Sequence, residues 1–127
     1  MSPRIGGDSK LAAEIGYIRA VRDGRFVFVA GTTGLDHRTL TINPDPAAQA
    51  EAALRTIAAA LEAAGARIDD VVRVRYIAAS AEDFRACWPV LRQWFDIARP
   101  AATMIVAGLL DARMKIEIEV TALLPED

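Results

Sequence analysis

Residues 26–30 of this 127-residue chain read FVFVA, a run without a polar side chain. Side chains of a β-strand alternate between the two faces of its sheet, so both faces of this strand are apolar. Helices packed on one side of a sheet cover only one of those faces. The run therefore predicts a sheet whose second face is buried by self-association of the chain.

The composition agrees with this expectation and excludes several classes of function. Hydrophobic residues make up 53% of the sequence, more than the core of one small domain requires. A formal net charge of -2 argues against a nonspecific nucleic-acid binder, which is normally basic. The single cysteine excludes an internal disulfide, and one cysteine with one histidine disfavours a zinc site built from protein ligands alone.

The length and the N-terminus indicate the general class of the protein. We predict a single domain over residues 1–127, because this length leaves little room for two. The N-terminus does not resemble a secretion signal, and no apolar run approaches about 18 residues. We therefore expect a soluble, cytoplasmic protein without a membrane partner.

Turn signals and β-rich runs organise the first part of the chain. Residues 1–13 show no clear pattern, and we expect an irregular arm or a short edge strand there. Two strands are predicted at 15–22 and 25–31. Between them lies Asp23-Gly24, a dipeptide typical of tight hairpins because glycine accepts a positive φ.

Two helices and three further strands follow. Residues 46–64 place apolar side chains at helical spacing, with Asp45 as N-cap and Gly65 as the stop. A second helix is predicted from Ser80 to about residue 98, and Pro89 should kink or interrupt it. The predicted remaining strands are 71–79, 103–110 and 114–124. The order ββαβαββ predicts an α+β fold of two layers, with both helices on one face of the sheet.

Several short motifs occur in a characteristic order along almost the whole chain. They are Ile15-Gly16-Tyr17, Phe28-Val29-Ala30-Gly31, Gln49 with Leu54 and Ile57, Leu61 with Ala64-Gly65, Val71-Val72, Asp83-Phe84, Arg99-Pro100-Ala101 and Ile116-Glu117-Ile118-Glu119. This set resembles the RidA family, also called YjgF. The resemblance implies a chorismate mutase-like fold with a mixed sheet, a homotrimer around a central barrel, and ligand sites in clefts between subunits.

The resemblance also implies a chemistry that uses neither a metal nor an organic cofactor. Deaminating members hydrolyse small imines or enamines to ammonia and a 2-oxo acid; an arginine holds the substrate carboxylate and a glutamate helps to position water. By motif, Glu117 matches that catalytic glutamate, Tyr17 the pocket tyrosine and Gly31 the backbone that lines the site. Ala102 stands where the arginine is expected, which implies an altered substrate preference.

Other cations are candidates for the missing carboxylate anchor. Tyr17 and Arg19 are two residues apart in a predicted strand, so they should share a face and Arg19 should reach the cleft. Arg75, which shares its strand face with Arg73, is the second candidate. The alternative for Arg19 is an ordinary ion pair with a carboxylate such as Glu119.

Three more residues have a functional and a simpler interpretation. Thr32, directly after Gly31, either presents its hydroxyl to a ligand or forms turn hydrogen bonds. Met104 lies two residues beyond Ala102 and should face the same cleft, which makes the pocket more apolar. Glu117 either positions water or balances an interface arginine.

Two functions from different classes fit these features. The first is a deaminase that acts on a small, carboxylate-bearing imine, and the second is a non-catalytic homotrimer that binds a small metabolite. A ribonuclease, an older label for parts of the family, is disfavoured by the pI of about 5.4 and the low aromatic content. Cys87 should be a small buried side chain rather than a nucleophile.

Overall fold

A computed structural model describes residues 2–6 and 9–126. Its elements, in chain order, are β1 Arg4–Ile5, α1 Lys10–Ile15, β2 Ala20–Asp23, β3 Phe26–Thr32, α2 Pro46–Ala63, a 3₁₀ turn at Ile68–Asp70, β4 Val71–Ala78, α3 Ala81–Phe95, β5 Ala101–Val106 and β6 Ile116–Leu123. No helix within these two ranges combines the length and the apolar character needed to cross a bilayer.

The strands form one mixed sheet in the order β1-β2-β3-β6-β4-β5. β4 and β5 are parallel, and the other neighbouring strands are antiparallel. α3 supplies the crossover that two parallel strands need. α2 packs on α3 and on β3 and β6, while α3 also contacts β4. The predicted α+β fold, with its mixed sheet and one helical layer, is confirmed.

The longest helix begins and ends where its capping residues predict. The Asp45 carboxylate accepts a hydrogen bond from the Ala48 amide at 3.0 Å. Pro46 occupies the first turn, where its missing N–H needs no partner. Gly65 follows the helix with φ +87°, a conformation that favours glycine. The apolar stripe of α2 is buried against the sheet through Leu54, Ile57 and Leu61.

The N-terminal prediction is wrong in one respect. Residues 10–15 form α1, whose N-cap Ser9 accepts from the Ala12 amide, and β2 starts only at Ala20. None of the side chains of this short helix is fully buried, so its sequence carries no apolar stripe. The short edge strand expected within the first 13 residues is present as β1.

Two further boundaries differ from the prediction. α3 continues through Pro89 and ends at Phe95 rather than near residue 98. Pro89 and Arg85 both lie on the exposed side of α3, so water can reach the carbonyl of Arg85 that lacks its helical donor. β5 runs from residue 101 to 106, earlier than the predicted strand.

The sheet face opposite the helices is partly apolar and exposed. Phe26 and Phe28 stack there with their ring centroids 5.9 Å apart, and they are 46% and 47% exposed. The intervening Val27 is buried on the helical side. The alternation predicted for residues 26–30 is therefore present, and one of its two faces is uncovered within a single chain.

Candidate functional site

A cavity of about 200 Å³ brings together four of the residues predicted for the site, namely Tyr17, Arg19, Gly31 and Glu117. Its wall is otherwise mostly apolar and consists of Lys10, Leu11, Thr33, Leu35, His37, Leu40, Leu110 and Met114. The contributions of α1 were missed by sequence reasoning, because that helix was not predicted.

Arg19 is a buried cation at the wall of this cavity. It is only 7% exposed, and its Nη1 donates to the Gly31 carbonyl oxygen at 3.2 Å and to Thr32 Oγ1 at 2.9 Å. Among the described residues, no carboxylate lies within ion-pair distance of its guanidinium. Burying a charge without a counter-ion is costly, so this arrangement indicates a place for an anion.

The backbone conformation that places Arg19 and Tyr17 at the cavity differs from the prediction. Both residues lie in the segment between α1 and β2, not in a strand. The Arg19 carbonyl still accepts a hydrogen bond from the Ala30 amide at 2.9 Å, which ties the segment to β3. The predicted strand alternation is therefore not the reason why these two side chains share the cavity.

Thr32 holds Arg19 in place. Its hydroxyl accepts from the guanidinium and donates to the Ala30 carbonyl oxygen at 2.8 Å, and the residue is 3% exposed. These contacts favour the simpler interpretation of Thr32, in which the hydroxyl bonds within the protein. Thr33 lines the cavity instead.

Glu117 lies against Gly31 across the junction of β6 and β3. A Cβ atom on residue 31 would be 2.5 Å from Glu117 Oε1, so the carboxyl group needs glycine at this position. The pairing of β3 with β6 shifts register between Val29 and Thr32, which is the irregularity of a β-bulge. Such bulges change the direction of a strand and of its side chains beside functional sites.

The surroundings of Glu117 favour its protonated form. Burial is the main cause that raises the pKa of Glu117, the neighbouring Glu119 carboxylate raises it further, and Arg19 lowers it. A perturbed carboxyl group inside a cleft is a candidate for general acid–base catalysis.

The second proposed anchor, Arg75, does not line this cavity. Its Nη2 lies 2.8 Å from Glu119 Oε1, because β4 and β6 place the two residues opposite each other. Arg73 donates to Thr103 Oγ1 at 3.0 Å. Glu119 is thus the partner of Arg75 and not of Arg19.

Ala102 and Met104 lie apart from the cavity within one chain. In β5 they pair with Val74 and Tyr76, whose side chains are buried on the helical side of the sheet. Ala102 accordingly borders a groove against α3. Glu117 lies on the opposite face of the sheet, so these two residues do not line its cavity within one chain.

Gln49 fixes two loops beside the cavity, a role that sequence reasoning missed. The residue is fully buried, and its Nε2 donates to the carbonyl oxygens of Asn43 at 2.8 Å and Arg113 at 2.9 Å. Its Oε1 accepts from the Lys115 amide at 2.7 Å. The available signal was a polar amide within the otherwise apolar stripe of α2.

Cys87 lies in the core between the two long helices. Its thiol donates to the carbonyl oxygens of Pro46 and Asp83, each at 3.3 Å, and burial raises the pKa of Cys87 to about 11. The prediction of a buried, structural cysteine is confirmed. Among the described residues, no group of three or more His, Cys, Asp or Glu side chains is arranged to hold a metal ion.

Comparison with known proteins establishes the family. The family model described as endoribonuclease L-PSP matches residues 7–124. The chain belongs to this family. The resemblance to RidA proteins is likewise confirmed by the relatives and solved structures of this family.

Relatives in the RidA family cover nearly the full length of the chain. The 2-iminobutanoate/2-iminopropanoate deaminase of Dermatophagoides farinae is 32% identical over 122 residues, which are 94% of this chain and 95% of the relative. The protein of the same name from Salmonella typhimurium is 29% identical and covers 96% of this chain and 98% of its own length.

Solved structures of RidA relatives share the fold. Rv2704 from Mycobacterium tuberculosis, a member of the YjgF/YER057c/UK114 family, has a TM-score of 0.88 at 36% identity, covering 98% of this chain and 100% of that chain. RidA from the Antarctic bacterium Psychrobacter sp. has a TM-score of 0.84 at 29% identity, covering 96% and 99% of the two chains.

Proposed function

We propose that the protein is a RidA-type hydrolase that deaminates small imines or enamines, with Arg19 as the anchor of the substrate carboxylate. The observation that carries this proposal is the buried Arg19 guanidinium, which lies in the same cavity as Glu117 and has no carboxylate within ion-pair distance in residues 2–6 and 9–126. The deaminases among its relatives support the reaction class.

The free edge of the Arg19 guanidinium suits a carboxylate. Nη1 is occupied by Gly31 and Thr32, whereas Nε and Nη2 donate to no acceptor among the described residues. These two N–H groups point along one edge of the planar guanidinium and match the two oxygens of a carboxylate. A bidentate contact of this kind fixes the orientation of the substrate as well as its position.

Glu117 can then move the protons of the hydrolysis. The ionised carboxylate accepts a proton as a water molecule attacks the C=N carbon; the C–O bond forms, the C=N π bond breaks, and Glu117 passes that proton to the nitrogen. Glu117 then moves the remaining hydroxyl proton to the nitrogen as the C–N bond breaks, and ammonia and a 2-oxo acid are released. One water is consumed for each imine, and no redox step occurs.

Self-association would complete the cleft. We infer self-association, because the sheet face with Phe26 and Phe28 is uncovered and because Ala102 and Met104 lie away from Glu117 within one chain. The resemblance to RidA proteins implies that this assembly is a homotrimer. Since Ala102 carries no charge, the neighbouring copy supplies no cation at that position. The altered substrate preference follows from this apolar contribution.

The proposal is tested with imino acids generated in solution by an amino-acid oxidase. We expect the wild-type protein to accelerate ammonia release, and Arg19→Met to weaken carboxylate binding about tenfold or more, since a charge-assisted contact is lost. Arg55→Met is the matched control, because Arg55 is an exposed residue of α2 paired with Glu51 and does not line the cavity.

The outcomes separate the two candidate functions. Failure to accelerate the hydrolysis of any imino acid would reject the deaminase and favour the non-catalytic binder. That binder would still show an increase in melting temperature with small carboxylates, through binding to the folded state. Wild-type affinity in Arg19→Met would reject Arg19 as the anchor under either function.

A further inference from the structure

Arg19 also borders a second cavity. This groove of about 450 Å³ lies between α2, the loop of residues 33–38 and the segment at Ile5. The two cavities share four lining residues, Arg19, Thr33, Leu35 and His37. We propose that they form one two-lobed site, in which the groove receives an extended apolar side chain of the substrate whose carboxylate binds Arg19.

This inference rests on the proposed function for the identity of the reacting group. The reaction lobe contains Glu117, and the second lobe, here called the α2 lobe, does not. Arg19 lines both lobes and is more than nine-tenths buried, so a carboxylate bound to its guanidinium would lie at the boundary between them. The remainder of the ligand can extend into the larger space while its C=N carbon stays beside Glu117.

The floor of the α2 lobe is built from small side chains. Ala52, Thr56, Ala59 and Ala63 follow one another at intervals of three or four residues, so they lie along one face of α2. The Thr56 hydroxyl donates to the Ala52 carbonyl oxygen at 3.2 Å, so its hydrogen is already used. Because these side chains are short, they leave space in the groove. The methylenes of a substrate chain can be buried against them.

The charged side chains at the loop end of the α2 lobe pair with each other, so a ligand needs no second charge to bind there. Asp36 Oδ1 accepts from the Arg38 amide at 2.9 Å and lies 3.9 Å from the Arg38 side chain. The two side chains thus offset each other at an exposed position. Together with Ile5 and Leu35, this points to 2-imino acids with extended aliphatic side chains as the substrate class.

The experiment uses a homologous series in which each member adds one methylene. Imino acids are generated by an amino-acid oxidase from alanine, 2-aminobutyrate, norvaline and norleucine, and kcat/KM is measured for each. Burial of one methylene should raise kcat/KM about fourfold. In Ala59→Phe, which adds an aromatic ring to the α2 lobe, we expect kcat/KM to lose its dependence on chain length.

Glu62→Phe is the matched control. Glu62 is exposed on the same helix but lines neither cavity, so this variant adds an aromatic ring to α2 outside the lobe. It should keep the wild-type dependence on chain length. Loss of that dependence in Glu62→Phe as well as in Ala59→Phe would assign the effect to α2 in general and overturn the proposal.

A binding measurement separates failure of this inference from failure of the proposed function. Calorimetric titration with pyruvate, 2-oxobutanoate, 2-oxopentanoate and 2-oxohexanoate needs no turnover. Affinity that rises with chain length in the wild type and not in Ala59→Phe supports the α2 lobe even if no imine is hydrolysed. An affinity that does not depend on chain length, or the same dependence in both proteins, overturns it.

Discussion

The carboxyl group of Glu117 occupies the space that a side chain on Gly31 would need. A Cβ atom at residue 31 would lie 2.5 Å from Oε1 and 3.0 Å from Cδ of Glu117. Gly31 does not have the positive φ seen at Gly16, Gly24 and Gly65, so the requirement is steric rather than conformational. Glycine at this bulge therefore sets the position of the proposed catalytic carboxylate.

Gly31→Ala should consequently displace Glu117. We expect kcat/KM for imine hydrolysis to fall at least about tenfold and the free energy of unfolding to fall by about 1–3 kcal/mol, as for other overpacked sites. Steady-state kinetics and urea denaturation measure the two effects. Gly108→Ala is the control, because a Cβ there meets nothing within 4 Å. Wild-type kinetics in Gly31→Ala would contradict the steric role.

The regular elements could be predicted because local signals and burial agree in them. α2 combines Asp45, Pro46 and Gly65 with an apolar stripe, and its observed bounds differ from the prediction by one residue. The helix at residues 10–15 lacks such a stripe; it begins at its Ser9 cap and ends at Gly16, which has a left-handed conformation. Hydrophobic periodicity identifies helices that have a buried face, so it does not predict a short exposed helix.

The cavity residues that could be predicted with the correct reason are those that belong to family motifs. Tyr17, Gly31 and Glu117 follow from their motifs and do share a cavity. Arg19 joins them through an irregular segment that strand alternation does not describe. The pairing of Arg75 with Glu119 depends on the register between β4 and β6, and no single-sequence pattern contains that information.

Glu117 should give the protein an opposite pH dependence of stability and activity. The pKa of Glu117 is raised above 4.5 by folding, so its stabilising contribution is complete below that value and is lost as pH rises through the folded pKa. Activity needs the ionised carboxylate and should increase over the same range. In Glu117→Gln we expect little turnover. We also expect its free energy of unfolding to increase relative to that of the wild type as pH rises above about 4.5.

Burial is the main cause of the raised pKa of Glu117, and Glu119→Gln tests the second cause, the neighbouring carboxylate. Removing the neighbouring charge should lower the pKa of Glu117 and move the acid limb of the kcat/KM profile to lower pH. Glu126→Gln, which changes an exposed residue paired with Arg25, should leave the limb in place. An acid limb that is unchanged in Glu119→Gln, or that persists in Glu117→Gln, would exclude Glu117 as the titrating group.

Gln49→Leu should loosen the loops that Gln49 joins. The substitution keeps the side chain buried but leaves the carbonyl groups of Asn43 and Arg113 and the Lys115 amide without their partner. We expect a loss of about 2–4 kcal/mol in the free energy of unfolding. Urea denaturation measures it, with the exposed Gln93→Leu as control. Equal stability of the two variants would show that the three hydrogen bonds are dispensable.

Phe28→Glu should separate the subunits of the inferred homotrimer. A carboxylate on the uncovered sheet face would be buried without a partner on assembly, which is strongly unfavourable. Light scattering should give the wild type three times the 13.7 kDa chain mass and the variant the mass of one chain. Turnover should be lost together with assembly, since the proposed cleft takes Ala102 and Met104 from another copy. The control Ile97→Glu changes a side chain that is 76% exposed beside the helical layer, and this variant should remain assembled.

A wild-type protein that is monomeric yet fully active would place the complete site within one chain and remove the need for the neighbouring copy.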